Sequence, residues 1–258
     1  MADSKWNPDQ YDRFRNERRQ PFFDLLALVR RQPAMSVVDL GCGTGELTAV
    51  LHAELQAQET VGLDRSETML AKAAAHALPG LRFGQADIGR FEAGKPLDLI
   101  FSNAALHWVD GHEELFERLA AALDGGGQLA VQMPANHDHP SHVVAHEVAG
   151  EEPFATLLGG YVRSVPVLPP QEYAALLDRL GFDEQHVRLQ VYPHHLPGRE
   201  DVIEWVKGTL LVDYQERLPA ADFDAFLARY RQRLLPQLAA TQPYFYPFKR
   251  ILLWGRRG

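Results

Sequence analysis

The chain has 258 residues, 46% of them hydrophobic, and a formal net charge of −8 from 26 Lys and Arg against 34 Asp and Glu. That length buries one full core, so one domain with embellishments is the default, and the acidic balance disfavours an extended nucleic-acid surface and favours a small-molecule partner. A single cysteine excludes an intrachain disulfide, and a polar start with no run of about 18 apolar residues gives neither a signal peptide nor a membrane span, so a cytoplasmic protein is expected.

Taken in order, residues 6–20 mix Trp6, Tyr11 and Phe14 with Arg13, Arg15, Arg18 and Arg19. They read either as a lid, with aromatics covering a ligand and arginines meeting its carboxylates, or as a solvated leader. A helix is expected to open at Pro21, where proline suits the first turn, with Phe22, Phe23, Leu25, Leu26 and Val29 on its apolar side. Ser36 to Gly45 then reads as a buried strand, a glycine turn and the start of a helix running to about Leu55. Val37, Val38 and Leu40 suit a central parallel strand. Gly41, Gly43 and Gly45 let the backbone approach a ligand at a helix N-terminus. A dinucleotide site needs its third glycine at position 46, which is Glu46 here, and a glutamate there repels a pyrophosphate but tolerates a cation. Asp39, at the strand end, can accept from a ligand ammonium. Cys42 reads as a small residue filling a tight loop rather than as a reactive thiol.

Thr60 to Asp64 is expected to form a second strand, ending in an acid about twenty residues past the glycines, where a carboxylate can take both ribose hydroxyls of an adenosine cofactor. Ser66 can cap the next helix, and Met69 and Leu70 read as core. A third strand starts at Leu81. After it comes Asp87-Ile88, an acid to accept from an exocyclic amine and an aliphatic side chain to pack on a ring. Pro96 to Phe101 is a fourth, apolar strand leading into Ser102-Asn103-Ala104-Ala105-Leu106-His107-Trp108, and Gly127 to Val131 a fifth. His137, His139, His142 and His146 crowd into ten residues. They read as surface histidines or a histidine-lined substrate lid more readily than as a metal site, since no known zinc pattern completes them. Gln171 to Leu180 is expected to be a helix closed by Gly181, and Glu184 to Tyr192 a strand. Helices are expected over Asp201 to Tyr214 and Ala220 to Leu235, with a last strand over Tyr244 to Trp254 that includes Tyr246, Lys249 and Arg250.

The glycine turn Gly41-Cys-Gly-Thr-Gly45, Asp64, Ala86-Asp87-Ile88 and Asn103-Ala-Ala-Leu-His-Trp108, in this order and spacing, resemble the class I S-adenosylmethionine (SAM) methyltransferases. Trp6-Asn7-Pro8 with Tyr11 and Phe14, Val131-Gln132-Met133-Pro134 with Asn136, and Val202-Ile203-Glu204-Trp205-Val206 are similar to the trans-aconitate 2-methyltransferase subfamily. The resemblance implies an α/β fold: a Rossmann-like, seven-stranded, mostly parallel sheet with helices on both faces and an α-helical cap. Residues 1–258 would be one methyltransferase domain, with 1–20 a lid and 136–170 and 198–243 substrate-region insertions. It also implies roles. Asp39, Gly41, Cys42 and Gly43 would hold the methionine half of SAM, Asp64 the ribose, Asp87 and Ile88 the adenine, Asn103 and Ala104 the neighbourhood of the sulfonium, and Arg18 the methionine carboxylate. S-adenosyl-L-homocysteine would be the cofactor product, a small carboxylic acid the substrate, and no metal would be required. The candidate cations for that acid are Arg13 and Arg18, His107, His142, and Lys249 or Arg250, with Tyr11, Trp108 and Tyr246 expected to close the pocket.

A carboxylate acceptor is already ionised at neutral pH and needs no general base. No catalytic residue is therefore assigned, and His107 is the candidate base if the acceptor is a hydroxyl. The segment Gly208-Thr209-Leu210-Leu211-Val212 lacks an arginine that the resemblance leads one to expect there. Two other readings stay open: methyl transfer to another small or carrier-bound acid, and a SAM-binding module without catalysis.

Overall fold

In the computed structural model of the chain, the described residues are 15–258, with side chains from residue 19 onward. Seven strands form one sheet in the order β3-β2-β1-β4-β5-β7-β6. They are β1 (Ser36–Leu40), β2 (Glu59–Asp64), β3 (Leu81–Gln85), β4 (Leu97–Asn103), β5 (Leu123–Pro134), β6 (Phe182–Leu196) and β7 (Tyr244–Arg257). The pairs among β1 to β5 are parallel and β7 runs antiparallel to β5. Val38 stands opposite Val61 on one side and Ile100 on the other. Val37, Leu40, Leu99, Ile100 and Phe101 are all buried, as expected of strands covered on both faces. The chain leaves β1 toward β2 on one side and β4 lies on the other, so the order reverses at β1. Ligands of open α/β sheets bind at the carboxyl ends of strands beside such a reversal.

The helices include α1 (Arg15–Leu26), α2 (Glu46–Leu55), α3 (Glu67–Ala73), α4 (His112–Ala121), α5 (Pro140–Ala149), α6 (Phe154–Leu157), α7 (Pro170–Arg179), α8 (Asp201–Lys207), α9 (Val212–Arg217) and α10 (Ala220–Leu234). Two expectations are corrected. The first helix, described from Arg15, runs through Pro21 rather than opening at it. Proline there removes one N–H from the ladder, but buried Phe22, Leu25 and Leu26 anchor the turns that follow. The helix expected over Asp201 to Tyr214 is two, broken after Gly208, where Leu211 N–H folds back on the Val206 carbonyl at 3.0 Å. Glycine is a poor helix former, and the break lets Leu210 and Leu211 both bury. Gly181 closes α7 in the left-handed region at φ 78°, as its position after the helix requires. No described helix is long and apolar enough to cross a membrane.

Backbone packing divides the chain into two compact units. One comprises residues 19–134, 166–190 and 250–258, and the other, among the described residues, 15–18, 135–165 and 191–249. The second has its own core, in which Trp205, Tyr214, Tyr230, Tyr246 and Phe226 are essentially inaccessible to solvent. Trp205 packs edge-on to Tyr246 with ring centres 5.7 Å apart, a geometry aromatic quadrupoles favour.

Candidate functional site

The loop after β1 is built by three glycines with different jobs. Gly41 and Cys42 donate their N–H groups to the Leu63 carbonyl at 2.7 and 3.0 Å, tying the loop to the end of β2. Gly41 lies at φ +80°, and a Cβ on it would sit 2.1 Å from the Ala105 Cβ and 3.5 Å from Ile88 Cδ1. No other residue fits there. Gly45 caps α2 at φ 76°, and its missing side chain leaves room for Phe83 and Ala73, both within 2.8 Å of a notional Cβ. Gly43, at φ +54°, faces open space.

Three acids expected from the sequence surround this turn. Asp64 accepts from Gly43 N–H and from Ser66 N–H, each at 2.9 Å, so one carboxylate fixes both the glycine turn and the entry to α3. Ser66 caps α3 by accepting from Met69 N–H at 3.3 Å. Asp39 is buried, and the Thr48 hydroxyl donates to its carboxylate at 2.6 Å. Burial pushes the Asp39 carboxyl up to about 7, against the lowering effect of Thr48 and with a further push from the charge of Asp64. A carboxylate so placed is stabilised in its charged form by a cation. Asp87 accepts from Gly89 N–H at 2.9 Å and opens a short 3₁₀ turn with Ile88. The Cys42 thiol is pushed up by burial and by the charges of Asp39 and Asp64, which agrees with the packing role expected for it.

At the end of β4, Ser102 donates its hydroxyl to the Leu40 carbonyl at 2.8 Å, bonding the two strand ends. Ala104 adopts φ 56°, a conformation few side chains take, and its N–H donates to the Gln132 carbonyl at 2.8 Å. Asn103 Oδ1 is buried with no hydrogen-bond partner among the described residues. His107 and Trp108 lie on the next 3₁₀ turn, with ring centres 5.0 Å apart and Trp108 37% exposed. Asp39, the glycine turn, Asp64, Ile88 and the Asn103 segment thus belong to one end of one sheet.

Of the residues expected to meet an acid substrate, His142 and Tyr246 both lie against the Ser141 hydroxyl, at 3.1 Å from His142 Nδ1 and 3.5 Å from the Tyr246 hydroxyl. Tyr11 and Arg13 lie outside the described residues, as does the side chain of Arg18. Arg250 is buried on β7 opposite Pro134 and donates to Gln132 Oε1 at 3.5 Å. Lys249, its neighbour on the strand, forms an ion pair with Asp138. Tyr246 is wholly buried, its hydroxyl accepting from Asn136 Nδ2 at 3.3 Å. His142 lies on α5 with His146 one turn further on. Among the described residues, no group of three or more His, Cys, Asp or Glu is arranged to hold a metal.

Sequence reasoning missed Thr48, Ser102 and Arg163. Thr48 and Ser102 carry only the signal of a polar residue in an otherwise apolar stretch. Arg163 has a largely buried side chain paired with Asp213 at 3.4 Å, and its linear neighbours give no hint of this. Glu46, read as tolerable only beside a cation, is itself paired with Arg19 at 3.1 Å.

Residues 37–127 match a family model described as "Methyltransferase domain". In fold, the chain is like an S-adenosylmethionine dependent methyltransferase from Mesorhizobium loti, with a TM-score of 0.54 at 22% identity, covering 91% of this chain and 96% of that one. It is 48% identical to a trans-aconitate 2-methyltransferase of Deinococcus radiodurans over 98% of both chains. It is 42% identical to one of Methylobacterium nodulans over 100% of this chain and 99% of the other. With such identity maintained from end to end, the chain belongs to the trans-aconitate 2-methyltransferase family.

Proposed function

We propose that the protein transfers a methyl group from SAM to a carboxylate of a small polycarboxylic acid, with trans-aconitate as the acceptor, releasing a methyl ester and S-adenosylhomocysteine. The observation that carries the substrate is the full-length likeness to relatives bearing that name. The switch-point residues support the cofactor. The absence of a side chain at Gly41 lets Ala105 and Ile88 close on the turn, two carboxylates converge where a cation is stabilised, and Asn103 Oδ1 is an unused acceptor.

SAM, when bound, supplies a methyl group on a positively charged sulfur. Asp39, with the backbone of Gly41, Cys42 and Gly43, holds its methionine half. Asp64 accepts from the ribose hydroxyls with the lone pairs that Gly43 and Ser66 leave free. Asp87 accepts from the adenine amine, Ile88 packs on the ring, and Asn103 and the Ala104 backbone line the sulfur end. The chain's contribution is then orientation and exclusion of water, since an ionised acceptor needs no proton removed. Holding two reactants in line can supply on the order of 7–11 kcal/mol in the ideal limit.

Mass spectrometry of the purified protein with SAM and trans-aconitate, with cis-aconitate, isocitrate and citrate in parallel, tests the reading. The expected product is trans-aconitate heavier by one methylene, absent with Asp64→Ala. No product on any acid while calorimetry still detects SAM binding would refute the acid assignment.

Asp39 gives a second expected result. Its carboxyl, at about 7, is largely protonated at pH 6 in the free protein. A bound ammonium favours the ionised form and lowers that value, so cofactor binding releases nearly one proton at pH 6 and almost none at pH 9. Calorimetry in buffers of different ionisation enthalpy measures this, and Asp39→Asn removes the difference.

A further inference from the structure

Strand β5 buries two glutamines, Gln128 and Gln132, four residues apart and so on one face of the sheet. Gln128, toward the amino end, has both polar atoms of its side chain engaged. Its Nε2 donates to the Arg30 carbonyl at 2.8 Å, and its Oε1 accepts from Arg30 N–H at 2.8 Å and from Trp254 Nε1 at 2.9 Å. Gln132, at the carboxyl end, is used on one side only. Its Oε1 accepts from Arg250 Nη1 at 3.5 Å, while its Nε2 is buried with no hydrogen-bond partner among the described residues. The guanidinium fixes which way the amide points, since the reverse orientation would set N–H against N–H.

Register sets Gln132 beside Asn103 of β4. In a parallel pair such partners present their side chains on the same face, from strands about 4.7–4.9 Å apart. Asn103 Oδ1 is likewise buried without a partner among the described residues, so it and Gln132 Nε2 do not satisfy each other. The backbone joins the same two strand ends, Ala104 N–H donating to the Gln132 carbonyl at 2.8 Å. An open acceptor and an open donor therefore stand side by side at the carboxyl ends of β4 and β5. The acceptor suits a cation and the donor an anion. Arg250, 5% exposed, bonds the far end of the Gln132 amide, which polarises the amide and strengthens its N–H as a donor. A buried N–H without an acceptor costs free energy that an incoming oxygen would remove. Asn103, Gln132 and Arg250 belong to the same compact unit as Asp39, Gly41 and Asp64.

We propose that Gln132 binds one carboxylate of the acceptor acid, a carboxylate that is not methylated, with its Nε2 donating to an oxygen and Arg250 holding the amide in place. A donor on the reacting carboxylate would draw electron density from the attacking oxygen, and its bond would weaken as methylation removes the charge. On a second carboxylate the bond is as strong in the transition state as before it, so it contributes affinity without slowing the transfer. Gln132 then selects acids that carry at least two carboxylates. The identity of the acid rests on the function proposed above, whereas the anion-binding amide rests on the register of Gln132 with Asn103 and its bond to Arg250.

The decisive measurement is a nitrogen–proton correlation spectrum of the side-chain amides in the full chain, with S-adenosylhomocysteine present so that nothing turns over. Trans-aconitate, citrate or, as a monocarboxylate control, acetate is added at the same concentration. The Gln132 amide signals, identified by their loss in Gln132→Glu and in Gln132→Met, are expected to shift with both polycarboxylates and to stay in place with acetate. Signals unmoved by both polycarboxylates would overturn the proposal, whatever the enzyme methylates. In turnover, Gln132→Glu keeps the acceptor for Arg250 but repels the acid. It is expected to raise KM for trans-aconitate about ten- to a hundredfold, with kcat nearly unchanged and SAM affinity not weakened. Gln132→Met, of similar length but with neither donor nor charge, is expected to raise KM about tenfold, so the result does not hang on the folding of one variant. Arg250→Lys, which keeps a charge and a donor, is expected to recover most of the acid affinity that Arg250→Met loses. A merely structural role would lower thermal stability and leave KM where it was, and a KM within about twofold of wild type in both Gln132 variants refutes the proposal. If trans-aconitate is not methylated yet the Gln132 amide responds to citrate, the functional reading fails and the anion site stands. If it is methylated while the amide is unmoved, the reverse holds.

Discussion

Asp64→Ala is expected to weaken SAM binding by about a hundredfold to ten-thousandfold, the range set by losing two charge-assisted hydrogen bonds at roughly 1.5–3 kcal/mol each. The carboxylate is engaged twice before any ligand arrives, by Gly43 N–H and Ser66 N–H. Truncation therefore removes the acceptor for the ribose and also frees the glycine turn and the start of α3. Asp64→Asn keeps one acceptor oxygen but loses the charge, and should fall between the two. Calorimetric titration of SAM into each variant checks the order. Wild-type affinity in Asp64→Ala would remove Asp64 from the cofactor site.

Gly41→Ala is expected to damage both folding and binding. Its Cβ would stand 2.1 Å from that of Ala105, at a φ of +80° that disfavours any side chain. Overpacking of this kind costs about 1–3 kcal/mol, with another 1–2 kcal/mol from the backbone conformation. For a chain of this size that amounts to a drop in Tm on the order of 5–15 °C, with loss of measurable SAM binding because the segment carrying Ala105 is pushed away from the turn. Gly43→Ala provides the contrast. Its φ of +54° carries the conformational cost alone, since nothing lies within 4 Å of the added atom. It should melt near wild type while binding SAM poorly, its methyl projecting into space the ligand needs. Thermal melts and titrations of the two variants separate the roles. Equal melting of both would refute the steric account of Gly41.

The part of this architecture legible in the sequence is the part set by spacing. A strand, a glycine turn, a helix and an acid about twenty residues on are fixed by backbone geometry, and β1, α2 and β2 fall where that spacing puts them. Side-chain partnerships between distant elements are not. Nothing in the stretch from Asp39 to Thr48 says that the threonine will turn back onto the aspartate, nor that Ser102 will reach Leu40. Pro21 illustrates a local rule outweighed by tertiary packing: proline favours a helix start, but it lies inside the helix, whose buried face of Phe22, Leu25 and Leu26 follows it. The apolar pattern runs on through Gly208, although the glycine ends one helix and the turn after it buries Leu210 and Leu211. Lys249 and Arg250 looked equivalent as cations until the strand's alternation set Lys249 against Asp138 and buried Arg250. The histidine cluster stands out as four residues in ten, whereas the pairing of Arg163 with Asp213 joins residues far apart in the chain.

The sole cysteine of the chain stands in the very turn that would hold a potent alkylating agent. A thiolate, and not a thiol, is the nucleophile, and at this position burial with the charges of Asp39 and Asp64 holds the sulfur in its protonated form. The acids that make the turn hospitable to a cation therefore also protect the protein from modifying itself. Any change that neutralised both would weaken the hold on the donor and, at the same time, leave burial as the remaining guard on the thiol.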